Sequence, residues 1–569
     1  MKPRFYHGSL RLAALAAVFS LGACASRAPA PAAASVEVNL VAINDFHGNL
    51  ERSRFKYTSI ADQQEHTIQA GGIDVLAAAL QAWRREDPQL LLVGAGDLVG
   101  ASPAMSSMWA DEPSIAAMNL LGLRATSVGN HEFDHGRVEL LRQQNGGCAS
   151  PRPQQACQFA PMYEGAKFSY LAANVLDHAT GKPFMPAYRI EEVHGVKIAF
   201  IGTVLKNTAA VALASGIAGL DFIDEADAVN RALPELRAQG VGIFVVLIHQ
   251  GGSTADYFDQ PDCAHLQGDI VDVVKRLDPA IELVVSGHSH HAYTCRVDGR
   301  LVTQAETAGH VLTRIKLHID ASANTLSSVS AANVVMTPDA YPADPRAAAY
   351  LAAIRERSQA ALSRPVARLA VPLLVREKSR AGESPLGDLV ADSVVQATRS
   401  FKVRIAFMNN GGMRKDLESG AQQQTDYGQT QAVLPFNNTL VVMSLSGAQI
   451  RALLEQQWHT DDADNGNLLQ ISSSLAYRWD RKQPAGHRVV PGSVTVDGAP
   501  LGDAVSYRVA MNNFLAEGGD RFRVFADGGE RVDTGISDLE ALRAYLAQRD
   551  RAGKPAGSAQ AAGRMQRLN

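Results

Sequence analysis

The stretch that decides the fold is residues 38–48, Val38-Asn39-Leu40-Val41-Ala42-Ile43-Asn44-Asp45-Phe46-His47-Gly48. Its first half is an apolar, β-branched run, which is typical of a buried strand. Its second half ends that strand with Asp45 and His47, two residues apart, so their side chains point the same way in an extended segment. A buried strand that ends in a carboxylate and an imidazole predicts a ligand site at its carboxyl end.

Further apolar runs continue this pattern along the first half of the chain. They are residues 90–93, 125–128, 198–201, 243–248 and 281–285. Helical stretches such as 72–85 and 226–238 lie between them. Nearly continuous apolar strands that alternate with helices indicate buried sheets with helices on their faces. From residue 36 to about residue 336 we therefore expect an α/β sandwich.

Four of these later runs also end in residues that can bind a ligand. The endings are Gly96-Asp97, Gly129-Asn130-His131-Glu132-Phe133-Asp134, His249-Gln250 and Gly287-His288-Ser289-His290-His291. Each ending alone is weak evidence, because Gly, Asn and Asp are common in turns. The ordered set is much stronger, since the carboxyl ends of strands in α/β sheets form the ligand crevice.

The donor set is suited to a pair of divalent cations. Imidazole combined with carboxylate favours zinc, manganese, cobalt or iron over calcium, which prefers all-oxygen cages. A two-metal site needs a shared ligand, and the carboxylate of Asp97 is the natural bridge. Two such cations would activate a water and stabilise the trigonal transition state of phosphoryl transfer. The identity of the metals stays open.

The order Asp-x-His, Gly-Asp, Gly-Asn-His-Glu, His and Gly-His-x-His resembles the calcineurin-like metallophosphoesterases. More narrowly, the chain after residue 36 is similar to the secreted 5'-nucleotidase and UDP-sugar hydrolase family. The resemblance implies an αββα metallophosphoesterase sandwich over residues 37–336. It also implies two sets of metal ligands, Asp45, His47, Asp97 and His290 for one cation, and Asp97, Asn130, His249 and His288 for the other.

By the same resemblance, His131 lies beside the phosphate, where it stabilises charge or protonates the leaving oxygen. Asp134 would orient it, a role that also follows from first principles because a carboxylate fixes the tautomer of an imidazole. The alternative for Asp134 is a solvated capping residue. His290 departs from the family pattern, since many relatives carry Asn or Gln there, so the metal preference is left open.

The second half of the chain begins with a change of composition near residue 337. Asp344-Pro345 is a good N-cap and first-turn pair, and an Ala-rich helical stretch follows to residue 362. We expect residues 337–364 to be a linker helix and residues 365–550 to form a second α/β domain. Residues 551–569, rich in Ala, Gly and basic residues, are expected to be a frayed tail.

In the resembled family the second domain recognises the nucleotide and can change its orientation relative to the metal domain. Taken alone, paired Arg residues favour a solvated face and loop aromatics favour core packing. The resemblance instead implies phosphate contacts from Arg376, Arg380 and Arg414, nucleoside contacts from Asn409 and Asn438, a base sandwich of Phe436 and Phe514, and a ribose contact from Asp520. Stacking tolerates different bases, so we expect broad base acceptance. Asn410 stands where relatives usually have Gly.

The first 24 residues have the pattern of an export signal. Lys2, Arg4 and Arg11 accompany an apolar stretch at 12–21, and Leu21-Gly22-Ala23-Cys24 resembles a bacterial lipobox. The alternative is an ordinary signal peptide with an incidental Cys. With Cys24 lipidated and residues 25–36 as a flexible tether, the protein would be a lipoprotein outside the cytoplasm, at the outer membrane or in the periplasm.

Four further cysteines remain, and an even number in an oxidising compartment favours two disulfides. We pair Cys148 with Cys157, which flank a loop rich in Pro and Gln, and Cys263 with Cys295. Sequence alone leaves the other two connectivities open. A metal-thiolate role for Cys295, close to the His cluster, is a weaker alternative.

Composition limits the classes of function. The 569 residues carry 54 basic and 58 acidic side chains, a formal charge of -4, so no basic surplus predicts binding to a nucleic acid polymer. The expected function is a phosphohydrolase acting on nucleoside 5'-monophosphates. Alternatives on the same site are 2',3'-cyclic phosphodiester, 3'-nucleotide or UDP-sugar hydrolysis, and a remote one is a non-catalytic nucleotide-binding lipoprotein. The sequence sets no oligomeric state.

Overall fold

The computed structural model describes Met1 and residues 35–569. The expected signal peptide, the lipidation residue Cys24 and the tether up to residue 34 lie outside the described residues. Within residues 35–569 no helix is both long enough and apolar enough to cross a bilayer.

The first domain alternates strands and helices. Its strands are β1 (Ser35–Ile43), β2 (Arg52–Thr58), β3 (Glu65–Gly71), β4 (Leu91–Ala95), β5 (Leu123–Ser127), β6 (Ser169–Leu171), β7 (Val175–Asp177), β8 (Tyr188–Val193), β9 (Val196–Val204), β10 (Leu220–Phe222), β11 (Ile243–His249), β12 (Ile281–Ser286), β13 (Ala292–Val297), β14 (Arg300–Ala305), β15 (Val311–Asp320) and β16 (Thr325–Val335). Its helices are α1 (Ile73–Glu86), α2 (Ala104–Ser107), α3 (Glu112–Leu121), α4 (Gly136–Asn145), α5 (Glu225–Ala238) and α6 (Asp269–Lys275).

Two six-stranded sheets dominate this domain. One has the strand order β16-β15-β1-β4-β5-β6 and the other β13-β14-β12-β11-β9-β8. Strands β1, β4 and β5 run parallel in the first sheet, and β11 and β12 run parallel in the second. The five strands that end in ligand-type residues are therefore the central parallel strands of the two sheets.

The two sheets pack face to face with helices outside. Alternate residues of β1 divide between the layers, because side chains of a strand alternate in direction. Leu40 packs between the sheets with Phe200 and Leu247. Ile43 packs outward with residues of α1. The outer face of the second sheet is covered by α5 and α6. The predicted αββα sandwich is thus confirmed.

Helix α7 (Pro345–Leu362) connects the two domains. Asp344 caps it, accepting a hydrogen bond from Ala347 N at 2.8 Å. Residues Leu351 and Ile354 are buried in the core of the first domain. The helix is therefore part of the packing of the first domain and not an isolated spacer.

The second domain combines several short sheets with five helices. Its strands are β17 (Pro365–Arg368), β18 (Leu373–Leu374), β19 (Ile405–Met408), β20 (Leu417–Glu418), β21 (Gln424–Asp426), β22 (Thr439–Ser446), β23 (Gln470–Ile471), β24 (Leu475–Asp480), β25 (Thr495–Val496), β26 (Ala499–Pro500), β27 (Ser506–Asn512), β28 (Gly529–Ser537) and β29 (Met565–Leu568). Its helices are α8 (Pro385–Ala397), α9 (Tyr427–Val433), α10 (Gly447–Glu455), α11 (Asn513–Ala516) and α12 (Asp538–Arg551).

The largest sheet of this domain has the order β23-β19-β27-β22-β28. The expectation of a frayed tail is not met, because β29 pairs in parallel with β24. Met565 is buried, and Arg564 forms a 2.7 Å ion pair with Asp392. The last residues are thus part of the second domain.

Both predicted disulfides, Cys148–Cys157 and Cys263–Cys295, are present. The first closes a loop after α4, and Cys157 N donates to the buried carboxylate of Glu112 at 2.8 Å. The second joins a loop to β13, which follows the His288–His290 segment.

Candidate active site

The carboxyl ends of the five parallel strands bring the predicted metal ligands into one cluster. Asp45, His47 and His290 offer ligand atoms that all lie within 4.8 Å of one another, and the same holds for Asp45, Asp97 and His249. The Nε2 atoms of His47 and His290 are 3.1 Å apart. Imidazole nitrogens that converge in this way beside a carboxylate can share a cation.

Asp97 lies between the two halves of the cluster. Its Oδ2 is 3.7 Å from Nε2 of His47 and 3.0 Å from Nε2 of His249. Asn130 adds an amide oxygen, 3.1 Å from Nε2 of His249 and 3.0 Å from Nδ1 of His288. The seven residues predicted as metal ligands therefore lie in one cluster, with Asp97 between its two halves.

The orientation of these side chains is fixed by their backbone conformation and by hydrogen bonds to neighbouring carbonyl groups. Nδ1 of His47 lies 2.9 Å from the carbonyl of Gly100, and Nδ1 of His249 lies 2.7 Å from that of Ala95. Such bonds leave each Nε2 for a metal. Five of the predicted ligands have a left-handed backbone, which is rare outside Gly and is concentrated at functional sites. They are Asp45, His47, Asp97, His288 and His290.

The buried carboxylates of the cluster require positive charge nearby, because an unpaired buried charge is costly. Burial pushes the pKa of Asp97 upward, but His249, His131 and His47 hold it well below its usual value. In return, Asp97 raises the pKa of His249 to about 10 against the effect of burial. A divalent cation can neutralise these carboxylates in place of a protonated His249, so that the imidazole stays neutral. The donor set thus fits divalent metal ions.

His131 and Asp134 form a separate pair beside this cluster. Nδ1 of His131 lies 3.0 Å from Oδ2 of Asp134, and each side chain is 15 % exposed. Burial lowers the pKa of His131, but Asp134 and Asp97 raise it, and the net shift is upward. Because Nδ1 faces the carboxylate, Nε2 is the nitrogen that remains for a substrate.

A cavity between the two domains joins this pair to the second domain. It is lined by Asn130, His131, Asp134 and His288 of the first domain and by Asn409, Arg414, Phe436, Asn438, Phe514 and Asp520 of the second. The ring of Phe436 stacks on that of His131 with centroids 5.4 Å apart. Six of the eight residues predicted to bind substrate therefore face the metal cluster across one cavity.

A neighbouring cavity lies on the side of His47 and His290, and it is lined by Arg376, Arg414 and Lys415. Burial lowers the pKa of Lys415, and the nearby Arg376 and Arg414 lower it further against the opposing effect of Glu306. Crowded cations of this kind favour an anion between them. Lys415 was not predicted, although its place directly after Arg414 was a signal.

Arg380 is the predicted phosphate contact that lies apart from both cavities. Its side chain is exposed and is not among the residues that line either one. Its backbone carbonyl accepts a hydrogen bond from Arg567.

Glu132 is a structural determinant that sequence reasoning missed. It is 2 % exposed, and its carboxylate accepts hydrogen bonds from the backbone N–H groups of Asp97 at 2.9 Å, Leu98 at 2.8 Å and Gly129 at 2.6 Å. Burial and Asp97 raise its pKa to about 7, against the effect of these amides. Glu132 therefore ties the loop of Asp97 to the loop of Asn130. Its place in the Gly-Asn-His-Glu motif was the available signal.

Comparisons with known proteins identify the families of the two domains. Residues 38–292 match the model of the calcineurin-like phosphoesterases, and residues 365–527 match that of the 5'-nucleotidase C-terminal domain. The crystal structure of a 5'-nucleotidase precursor from Thermus thermophilus is 30% identical with a TM-score of 0.73, and the match covers 94% of this chain and 100% of that chain.

Two curated relatives are longer than this chain. Endonuclease YhcR of Bacillus subtilis (strain 168) is 30% identical over 512 residues, which are 90% of this chain but 40% of that protein. Cell wall protein Lmo0130 of Listeria monocytogenes serovar 1/2a (strain ATCC BAA-679 / EGD-e) is 29% identical over 558 residues, covering 92% of this chain and 68% of that protein.

A calcineurin-like sandwich whose strand ends carry clustered His, Asp and Asn ligands defines a metal-dependent phosphoester hydrolase. With its second domain included, the chain belongs to the calcineurin-like phosphoesterases that carry a 5'-nucleotidase C-terminal domain, the family that the motifs resembled.

Proposed function

We propose that the protein hydrolyses nucleoside 5'-monophosphates to nucleoside and phosphate with the help of two divalent cations. One observation carries the proposal: a single cavity is lined both by His131 with the metal ligands Asn130 and His288, and by the aromatic rings Phe436 and Phe514. A nucleoside monophosphate has a phosphate for the first group and a base for the second.

The cations would be held as the family resemblance implies. One set of ligands is Asp45, His47, Asp97 and His290, and the other is Asp97, Asn130, His249 and His288. When bound, two such cations supply Lewis-acid activation of a water and of the phosphoryl group. The mixed imidazole and carboxylate donors favour zinc, manganese, cobalt or iron.

The residues of the chain itself bind the phosphate and deliver a proton. Arg376 and Arg414 attract the phosphate from the second domain, where guanidinium groups can form paired hydrogen bonds to its oxygens. Nε2 of His131 donates a proton to the departing 5' oxygen of the nucleoside, while Asp134 holds Nδ1 and so fixes the tautomer. Arg380 remains a predicted phosphate contact.

The nucleoside binds through stacking and a few polar contacts. Phe436 and Phe514 hold the base, and Asp520 contacts the ribose. Asn409 donates to Asp520 at 3.0 Å and so orients that carboxylate, and Asn438 adds a polar contact nearby. Stacking is worth about 1–3 kcal/mol per base and tolerates different bases, so broad base acceptance follows.

We place the reaction outside the cytoplasm, with the chain anchored through a lipid on Cys24. Three observations support this location: the lipobox-like sequence at residues 21–24, the two disulfides, and the relative named as a cell wall protein. The cleavage products would then be available for nucleotide salvage.

The test is phosphate release by chelator-treated protein that is reloaded with one metal at a time. AMP, 2',3'-cyclic AMP, UDP-glucose and single-stranded DNA are compared as substrates, the last because one relative is named an endonuclease. We expect AMP to be hydrolysed fastest and to require two metal equivalents. Asp97→Ala and His131→Ala should each lower the rate by about 10²–10⁴-fold.

The exposed His178, which pairs with Asp221 on the surface, provides a matched control. His178→Ala should leave the rate unchanged. Faster hydrolysis of the cyclic, sugar or DNA substrate would replace the proposed substrate by that one. Unchanged phosphate release in both Asp97→Ala and His131→Ala would remove the mechanism.

A further inference from the structure

The segment 305–310, which begins at the last residue of β14, passes directly behind the predicted metal ligand Asp45. The backbone N–H of Ala308 and the hydroxyl of Thr307 both donate to the carbonyl oxygen of Asp45, at 2.8 and 2.7 Å. Asp45 has a left-handed backbone with φ 48°, as do Glu306 and Ala308 with φ 58° and 56°. A strained ligand conformation persists only where the surroundings determine it, and these two hydrogen bonds do so.

The same segment fixes the carboxylate of Asp45 through Asn44. The amide nitrogen of Asn44 donates to Oδ2 of Asp45 at 2.7 Å and to the carbonyl of Glu306 at 2.6 Å. Its amide oxygen accepts from Ala305 N at 2.7 Å. Asn44 is completely buried, so these bonds do not compete with solvent.

The segment also bonds to the loop that carries His290. Glu306 N donates to the carbonyl of His291 at 2.9 Å, next to the ligand His290. Asp45 and His290 are far apart in sequence, yet one short stretch bonds both to Asp45 itself and to the residue directly after His290. Any shift of this stretch would change the distance between two ligands of the same cation.

The far end of the segment is fastened to the β2–β3 hairpin. Nδ1 of His310 lies 2.8 Å from Oε2 of Glu306, and its Nε2 lies 2.6 Å from the hydroxyl of Ser53. Its ring stacks on that of Phe55 at 4.9 Å. His310 is 5 % exposed and thus connects the hairpin to the segment through a buried chain of hydrogen bonds.

We propose that residues 305–310 are a positioning clamp for the cation held by Asp45, His47 and His290, with Thr307 and His310 as its positioning residues. The proposal rests on the proposed metal site. Hydrogen bonds of this outer kind orient the ligands, and losing one typically costs 10- to 100-fold in metal affinity. The clamp acts on metal binding and leaves the bonding of the nucleoside untouched.

The test compares Thr307→Val, which removes the hydroxyl at nearly constant volume, with Thr307→Ser, which keeps it. Thr313→Val is the control for the loss of a threonine hydroxyl, because Thr313 is completely buried, Thr307 is partly buried, and the hydroxyl of Thr313 donates to Asn333 at 2.6 Å, away from the ligands. Mn²⁺ is titrated calorimetrically into chelator-treated protein. We expect one metal equivalent to weaken about 10- to 100-fold in Thr307→Val, with the other unchanged.

Thr307→Ser and Thr313→Val should both bind Mn²⁺ as the wild type does. His310→Phe, which keeps the stacking and removes the hydrogen bonds, should weaken the same equivalent. The unchanged second equivalent reports that each variant is folded. Unchanged affinity in Thr307→Val, or equal weakening in Thr313→Val, overturns the clamp. If Thr307→Val and His310→Phe show the expected loss of metal affinity but the wild type releases no phosphate from AMP, the proposed function is refuted and the clamp is retained.

Discussion

Glu132→Gln is the most informative substitution, because it changes one atom of a group that holds two ligand loops together. One carboxylate oxygen accepts from the N–H groups of Asp97 and Gly129, and the other accepts from Leu98 and, at 3.4 Å, from Val99. Gln keeps the shape but replaces one oxygen by an NH₂ group, which cannot accept from either N–H group that it faces.

The expected loss of stability follows from the number of backbone N–H groups that are left without an acceptor. Two buried N–H groups lose their acceptor, at about 1–3 kcal/mol each, so we expect a loss of roughly 2–6 kcal/mol. For a domain of this size that lowers the melting temperature by about 3–10 °C. The loops that carry Asp97 and Asn130 would also separate more easily, so metal affinity should fall.

The assay is a thermal melt at pH 8, where the Glu132 carboxyl with its pKa of about 7 is mostly ionised, followed by a metal titration. Glu225→Gln is the control, because Glu225 is equally buried and Oε1 alone accepts, from Lys206 N at 2.7 Å. Gln can keep that single bond, so a small shift is expected. The reasoning is refuted if Glu132→Gln melts and binds metal like the wild type, or if both variants lose the same stability.

Three further outcomes are expected. Phe514→Ala should raise the KM for AMP about 5- to 150-fold, because stacking contributes about 1–3 kcal/mol, while Phe514→Tyr should stay near the wild-type value. A KM of Phe514→Ala equal to that of the wild type would exclude a base contact. Lys415→Ala should raise the KM for AMP about 2- to 5-fold at low salt and less at high salt, whereas Lys415→Arg should keep the wild-type KM. An effect that does not depend on salt would contradict an electrostatic role. Burial and Arg152 lower the pKa of His135 from 6.5 to about 4. The folded state therefore binds that proton less tightly than the unfolded chain, and stability is lost as pH falls below 6.5. His135→Gln should recover about 2 kcal/mol of the loss at pH 5, measured by denaturant melts at pH 5 and 7; an unchanged pH dependence would assign the loss to other groups.

The framework of the fold was accessible from sequence because its signals are local. Each central strand is a short apolar run, and β11 begins at Ile243 where its run begins. Each ligand lies at or just after the end of such a run, so parallel pairing of the strands is sufficient to bring the ligands together. The helical connector was equally local, since Asp344 and Pro345 are a cap and a first-turn residue.

The remaining features depend on contacts between distant residues. The hydrogen bonds from Thr307 to Asp45 and from Asn44 to Glu306 join segments about 260 residues apart, and no periodicity predicts them. The composition of residues 551–569 favours disorder, but β29 is stabilised by its partner β24 and by burial of Met565. Sequence patterns predict elements well, whereas the outer hydrogen bonds of a site arise only from their packing.

The packing of α7 decides where the two domains can move relative to each other. Its residues Leu351 and Ile354 lie in the first domain's core, so the helix must travel with that domain. Arg364 belongs to the other side, because its carbonyl accepts from Tyr427 N at 2.9 Å and its guanidinium lies 5.0 Å from the Tyr427 ring. Ser363 is the one residue between the end of α7 at Leu362 and Arg364. A swivel of one domain against the other would therefore bend the chain near Ser363, and it would also break contacts between the domains such as the 3.0 Å hydrogen bond from Gln431 to the hydroxyl of Ser107.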